Sequence, residues 1–244
     1  MKCIILAAGY ATRLYPLTEN FPKPLLKVGE KTIVDWLIDD VRLSGQVDMF
    51  VVVTNHKYAA NFFEWAKDKR DVKVIDDGTV DNAGRLGAVR DIQLALDECG
   101  IDEDILVLAG DNVLDFSLNS FIGYSARKKT GCAMRYFEPE KAKISKSAMV
   151  IVDENDLILR MEEKPAAPES NWCVPPFYYY TMDDAASIKD AIAGGCPVDA
   201  PGNLLSWMAA RRKVHCMEMP GKRYDIGNLE SYEKVQREYK GIIK

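Results

Sequence analysis

An apolar run, Cys3 to Leu6, leads into Ala7-Ala8-Gly9-Tyr10-Ala11-Thr12-Arg13-Leu14-Tyr15-Pro16-Leu17-Thr18 and then into Pro22-Lys23-Pro24. The small residues Ala7, Ala8 and Gly9 let a backbone approach a ligand, and Arg13 and Lys23 supply cations that can reach negative charge. Donors and cations gathered at the end of a strand suit a triphosphate, because phosphoryl chemistry depends on positioning and charge stabilisation. Two common phosphate loops are excluded by spacing. A dinucleotide fingerprint needs three spaced glycines running into a helix, whereas Gly9 stands alone ahead of Pro16, Pro22 and Pro24. The Gly-Lys-Ser/Thr ending of a Walker loop is also absent. The prolines predict an extended loop.

A second set of residues is Leu106-Val107-Leu108-Ala109-Gly110-Asp111-Asn112, an apolar strand that delivers an acid beside a glycine. Asp111 is a natural magnesium ligand, since magnesium takes one or two carboxylates and completes its octahedron with water and substrate phosphates. Asp225, in Arg223-Tyr224-Asp225-Ile226-Gly227-Asn228, is the candidate for the second acid. Each acid alone reads equally well as a cap or turn residue. A third set, Leu159-Arg160-Met161-Glu162-Glu163-Lys164-Pro165, ends a strand in an acid and a cation. Lys164 could contact a phosphate and Glu163 could accept from hydroxyls of a second substrate, although a Glu-Lys pair is more often merely solvated. Neither His56 nor His215 lies near these motifs, and they are expected in a loop and a strand without catalytic duty.

These residues need a scaffold that brings strand ends together. Apolar strands at Lys2 to Ala7, Met49 to Thr54, Val72 to Ile75 and Ile105 to Ala109 alternate with helical patterns at Thr32 to Ser44, Tyr58 to Lys69 and Gly87 to Glu98. Asn55 and Ser117 are plausible N-caps. Such alternation predicts an α/β fold with a doubly wound, mostly parallel sheet, whose ligands sit at the strand ends. Beyond Thr130 the texture becomes strand-rich, with runs at Cys132 to Phe137, Ala148 to Val152, Leu157 to Met161 and Val174 to Tyr180, and a hairpin turn at Asp153 to Asp156. Helices resume near Asp183, Pro201 and Leu229, and Val214 to Met219 is expected to return to the main sheet. Alternating side chains make Tyr178-Tyr179-Tyr180 core rather than a base-stacking platform. The expected organisation is a single domain, with about 1–130 and 213–244 forming a nucleotide-binding core and about 131–212 a smaller lobe.

With 244 residues and 48% hydrophobic content the chain can bury a sizeable core. A net charge of −5 opposes non-specific nucleic-acid binding, so anionic ligands must meet a locally basic site. The six cysteines lack metal-ligand spacing and read as reduced, structural thiols. The chain opens directly into a strand, with no leader and no apolar run near the roughly 18 residues of a membrane span, so a cytoplasmic protein is expected.

Together and in this order, Leu6 to Pro24, Leu108 to Asn112, Glu162 to Tyr180 and Tyr224 to Gly227 resemble the sugar-1-phosphate nucleotidylyltransferases, in particular the glucose-1-phosphate thymidylyltransferase-like enzymes. The resemblance covers nearly the whole chain. It implies a Rossmann-like sheet with a strand-rich acceptor lobe, and magnesium-dependent transfer of a nucleoside monophosphate from a triphosphate to a sugar 1-phosphate, with release of pyrophosphate. Arg13 and Lys23 would then be catalytic, holding the triphosphate and helping pyrophosphate leave. Leu6, Ala7, Ala8, Gly9, Leu86, Gly87 and Asp111 would bind the nucleotide. Asn112, Glu163, Lys164 and Val174 would contact the acceptor, with Lys164 on its phosphate, and Asp111 and Asp225 would hold magnesium. The partners implied are a nucleoside triphosphate and a phosphorylated small molecule, with no nucleic acid or membrane, for a monomer or homodimer.

Base choice is read from Asn82 to Val89, where Gly84-Arg85-Leu86 resembles cytidylyltransferases more than thymidylyltransferases. A pyrimidine triphosphate is expected, with CTP, UTP and dTTP open. Three departures from the family stand out: Ala11 where glycine is usual, Ser147-Ala148 where a tyrosine-glycine contacts a hexose, and Pro175-Pro176 in place of threonine-glycine. The last two keep a cytidylyltransferase acting on phosphocholine or an aminoalkyl phosphonate as an alternative. A non-catalytic, nucleotide-binding regulatory subunit is the alternative of another class, opposed by the presence of Arg13, Lys23, Asp111 and Asp225.

Overall fold

A computed structural model describes residues 1–242. The chain divides into two compact units, Met1–Leu86 with Ala109–Ser120 and Pro220–Lys244, and Gly87–Leu108 with Phe121–Met219.

In the first unit the strands Lys2–Leu6, Met49–Thr54 and Val72–Asp76 pair in parallel, with Lys2 opposite Met49 and Phe50 opposite Val72. Cys3, Ile4, Ile5 and Phe50 to Val53 are wholly buried, as strands of a parallel sheet covered on both faces require. Ile33–Arg42 is helical because Thr32 caps it, accepting from the Asp35 amide, while Ile33, Val34, Leu37, Ile38 and Val41 form one apolar face. Asn55 caps His56–Ala66 by accepting from the Tyr58 amide, as read from the sequence. His56 therefore opens a helix rather than lying in a loop. A short antiparallel ladder joins Asn112–Leu114 to Arg223–Asp225.

In the second unit Ile105–Ala109, as far as Leu108, pairs antiparallel with Phe177–Tyr180, which pairs antiparallel with Gly131–Phe137. Val214–Glu218 joins Gly131–Phe137 in parallel. On its other side follow Trp172–Val174, Ala148–Val152 and Ile158–Glu163, all antiparallel. The last two form the hairpin expected around Asp153, whose amide donates to the Leu157 carbonyl. Val174 to Tyr180, read as one strand, is two. Pro175 and Pro176 cannot donate to a ladder, and the strand is interrupted there. Tyr178, Tyr179 and Tyr180 are core, at 4% exposure or less, and the ring centroids of Tyr178 and Tyr180 stand 6.1 Å apart. Ile188–Ala193 is a helix without a distinct sequence signal.

The chain is thus α/β with a Rossmann-like mixed sheet. All six cysteines are free, five of them buried. Among the described residues no helix is long and apolar enough to cross a membrane.

Candidate active site

The first strand ends at Leu6, and the loop after it is built on buried side chains. The Tyr58 hydroxyl donates to the Thr18 carbonyl at 2.6 Å, and the Thr18 hydroxyl donates to the Ala11 carbonyl at 2.8 Å. Ala11 itself is left-handed, at φ 45°, which explains why glycine would be usual there; alanine accepts the same conformation at a cost of about 1–2 kcal/mol. The loop is not continuously extended. Single 3-10 turns at Thr12–Leu14 and Lys23–Leu25 interrupt it, and Leu14 is buried with Val28, Ile33, Val113 and Ile226. Anchoring Leu14 in the core turns the adjacent Arg13 outward.

Asp111 arrives from the strand Ile105–Ala109 through Gly110. A side chain at Gly110 would meet Ile5 Cγ2 at 2.9 Å and the Leu6 carbonyl at 3.3 Å, so glycine lets this turn close on the end of the first strand. The Gly110 amide donates to that carbonyl at 2.9 Å. Lys23, 6% exposed, places its Nζ 2.9 Å from Asp111 Oδ2. Asn112 donates to Asp111 Oδ1 at 2.6 Å and accepts from Arg223 Nη1 at 2.7 Å, and the same guanidinium lies 4.0 Å from Asp225 Oδ2. One polar network therefore runs Lys23, Asp111, Asn112, Arg223, Asp225. Burial alone would push the Asp111 carboxyl up, but the Lys23 ammonium and its hydrogen bond, with Arg223 behind, outweigh that and hold it below the ordinary carboxylate range.

Leu6, Ala7, Gly9, Arg13, Lys23 and Asp111 line one cleft of about 270 Å³, together with Ile226 and Gly227. Gly9 is open to solvent, and Ala8 accepts from the Asn55 amide group at 2.9 Å. The Arg13 guanidinium makes no hydrogen bond or ion pair among the described residues and is free to meet an anion. Asp225 is 59% exposed and stands opposite Asn112 in the short ladder. Asn112 is 1% exposed, with both ends of its amide engaged inside the network. Leu86 is the last residue of the first segment of the first unit and is half-buried.

Asp111 and Asp225 are hard oxygen donors, one held ionised by cations and the other solvated. Two such carboxylates fit a magnesium ion whose remaining positions go to water and phosphate. Among the described residues no group of three or more His, Cys, Asp or Glu could hold a metal.

Gly87, Glu163, Lys164 and Val174 belong to the second unit. Gly87 has φ 97° and is buried, and a side chain there would meet the Val198 carbonyl at 2.6 Å. Glu163 and Val174 both face Ala148 across neighbouring strands. Burial pushes the Glu163 carboxyl up, Lys164 opposes this and Asp199 adds to it. Lys164 is exposed and left-handed, at φ 49°, with its amide donating to the Ser147 carbonyl at 3.0 Å. Sequence reasoning missed Arg223, which stands two residues before Asp225 in the motif already singled out.

The sequence model of the nucleotidyl transferase family matches residues 2–241. A UTP–glucose-1-phosphate uridylyltransferase of Haloferax volcanii is 25% identical over 246 residues, spanning 97% of this chain and 96% of that protein. A glucose-1-phosphate thymidylyltransferase of Mycobacterium tuberculosis is 32% identical over 189 residues, spanning 75% of this chain and 62% of that longer one. The solved CTP:phosphocholine cytidylyltransferase of Streptococcus pneumoniae shares the fold at a TM-score of 0.75 and 20% identity, covering 96% of this chain and 97% of that one.

Proposed function

We propose, from the premise that this chain belongs to the nucleotidyl transferase family, that it transfers a nucleoside monophosphate from a pyrimidine triphosphate to a sugar 1-phosphate. The products are a nucleotide sugar and pyrophosphate. The observation that carries this reading is the Lys23–Asp111 pair, 2.9 Å apart in a cleft that also holds Arg13 and the open backbone at Gly9. The Haloferax volcanii uridylyltransferase, similar along almost its full length, supports the sugar phosphate as acceptor.

Arg13 and Lys23 bind the triphosphate and stabilise the charge that spreads as the bond between the α-phosphorus and its bridging oxygen breaks. The electron pair of that bond leaves on pyrophosphate while an oxygen of the acceptor phosphate bonds to the α-phosphorus. No general base is needed, because a phosphate monoester near neutral pH is already an oxygen nucleophile, and orientation supplies much of the rate. Asp111 and Asp225 would hold magnesium, which when bound neutralises phosphate oxygens. Asn112 keeps Asp111 oriented, and Leu86 and Gly87 border the base. Glu163, Lys164 and Val174 receive the acceptor, Lys164 through its phosphate. The enzyme works in the cytoplasm as a monomer or homodimer.

The test is a matrix of CTP, UTP, dTTP, ATP and GTP against glucose 1-phosphate, other hexose 1-phosphates, phosphocholine and 2-aminoethylphosphonate, read by pyrophosphate release with and without EDTA. Turnover that needs a pyrimidine triphosphate, a sugar 1-phosphate and magnesium together is expected. Turnover with phosphocholine or the phosphonate alone would replace the acceptor, and no pyrophosphate from any pair would overturn the reading.

Lys164→Gly separates two roles of one residue. Glycine removes the left-handed strain of about 1–2 kcal/mol, so the variant should melt no lower than wild type despite the added freedom of its unfolded chain. Loss of a charged hydrogen bond should nonetheless raise the acceptor KM roughly 10- to 100-fold. An unchanged acceptor KM would remove Lys164 from the site.

A further inference from the structure

In the second unit Glu163, Ala148 and Val174 occupy facing positions on three adjacent antiparallel strands, so their side chains form a row on one face. Over that row begins the helix Pro201–Ala209. Gly202, its second residue, is buried, and a methyl group built there would overlap Glu163 Oε2, with Cδ 3.3 Å and Ala148 Cβ 3.5 Å away. The helix start cannot easily recede. Ahead of it the Val198 carbonyl accepts from the Val89 amide at 3.1 Å and closes over Gly87, and within it the Ser206 hydroxyl donates to the Met161 carbonyl at 2.7 Å. Both anchors tie the helix to elements of its own unit.

The Glu163 carboxylate lies in the space left by these two small residues, half-buried, and makes no hydrogen bond or ion pair among the described residues. A carboxylate partly removed from water without a donor is unfavourable as it stands, and a swing outward would rehydrate it. A ligand that brings hydroxyl donors satisfies it in place. Its inward position therefore depends on the room at residue 202.

We propose that Gly202 is a positioning residue for the acceptor site: having no side chain, it leaves the room in which the Glu163 carboxylate waits for the hydroxyl groups of the acceptor. This rests on the reading that Glu163 contacts the acceptor. Gly202→Ala costs the fold little, because the colliding atom ends a flexible side chain and alanine favours the helix over glycine by about 1 kcal/mol. The carboxylate, held by no hydrogen bond or ion pair among the described residues, is what moves.

Steady-state kinetics with UTP and glucose 1-phosphate, on Gly202→Ala, Glu163→Ala and the double variant, test this. Gly202→Ala is expected to melt within a few degrees of wild type and to raise the acceptor KM about 10-fold, the equivalent of one hydrogen bond, with the UTP KM within twofold. In the Glu163→Ala background the same substitution should change the acceptor KM less than twofold, since no carboxylate remains to displace. An equal effect in both backgrounds, or none in the wild-type background while Glu163→Ala raises KM, overturns the role of Gly202 and leaves the functional reading intact. No effect of Glu163→Ala overturns the placement of Glu163 at the acceptor and this proposal with it. Whatever the substrate, a crystal structure of Gly202→Ala with the Glu163 carboxylate in its present position overturns the proposal.

Discussion

Asp111→Asn is expected to lower the rate of pyrophosphate release by roughly 10³-fold or more, the effect of removing several kcal/mol of charge stabilisation at the reacting phosphates. The neutral amide cannot balance Lys23 or serve as an anionic ligand for magnesium. The fold should survive. An asparagine carbonyl can accept from Lys23 or from Asn112 but presents an N–H to the other, so about one hydrogen bond is lost, worth about 1 kcal/mol and roughly 2–4 °C in Tm. Kinetics over a magnesium titration, with a thermal melt, check both halves. Turnover at the wild-type rate would remove Asp111 from the metal and triphosphate site, whereas unfolding would mean that the network Lys23, Asp111, Asn112, Arg223 is mainly structural.

Lys23→Met is the second large effect. It keeps the apolar stem of a 6%-exposed side chain and removes the terminal ammonium, charge and donors together. Loss of one preorganised donor to the phosphates should lower kcat about 10²- to 10³-fold. Stability falls as well, because Asp111 is left partly buried without its cation. Breaking a fully buried pair costs about 3–5 kcal/mol; Asp111 is 41% exposed, and discounting for solvent brings this to about 1–2 kcal/mol. The sign of the pH dependence follows from the depressed Asp111 pKa. In the wild type that depression contributes stability which is present above the unfolded carboxyl pKa and lost as pH falls through the lower folded value. In the variant burial acts unopposed by Lys23 and the folded pKa rises, so the difference in Tm between the two proteins should be greatest near pH 7 and shrink on acidification. A gap that widens in acid would show that Lys23 does not set the ionisation of Asp111.

Both predictions concern residues that could be picked out before any fold was known, and the reasons differ. Met49–Thr54, Ile105–Ala109 and Ala148–Val152 begin and end where the apolar runs do, because strand limits are written by adjacent polar and glycine residues. Asn55 caps its helix through a side chain that acts only a few residues away. Val174 to Tyr180 failed as a single strand for the opposite reason. Its apolar character is continuous, but Pro175 and Pro176 interrupt the hydrogen bonding that pattern alone does not register. Arg223 carries no site signal in the sequence because its partner Asn112 meets it only through the ladder of Asn112–Leu114 with Arg223–Asp225.

By itself the sequence determined the alternation of strands and helices, the loop from Gly9 to Lys23, and the chemical identity of the charged residues at strand ends, all properties of local periodicity and residue type. Only the tertiary structure decided which charges meet: that Lys23 is buried against Asp111, that Asn112 is spent holding that carboxylate, and that Gly202 makes room for Glu163. The physical reason is that hydrogen bonds and steric exclusion act over a few ångströms of space. Residues far apart in the chain acquire a common role only where the folded backbone brings them within that range.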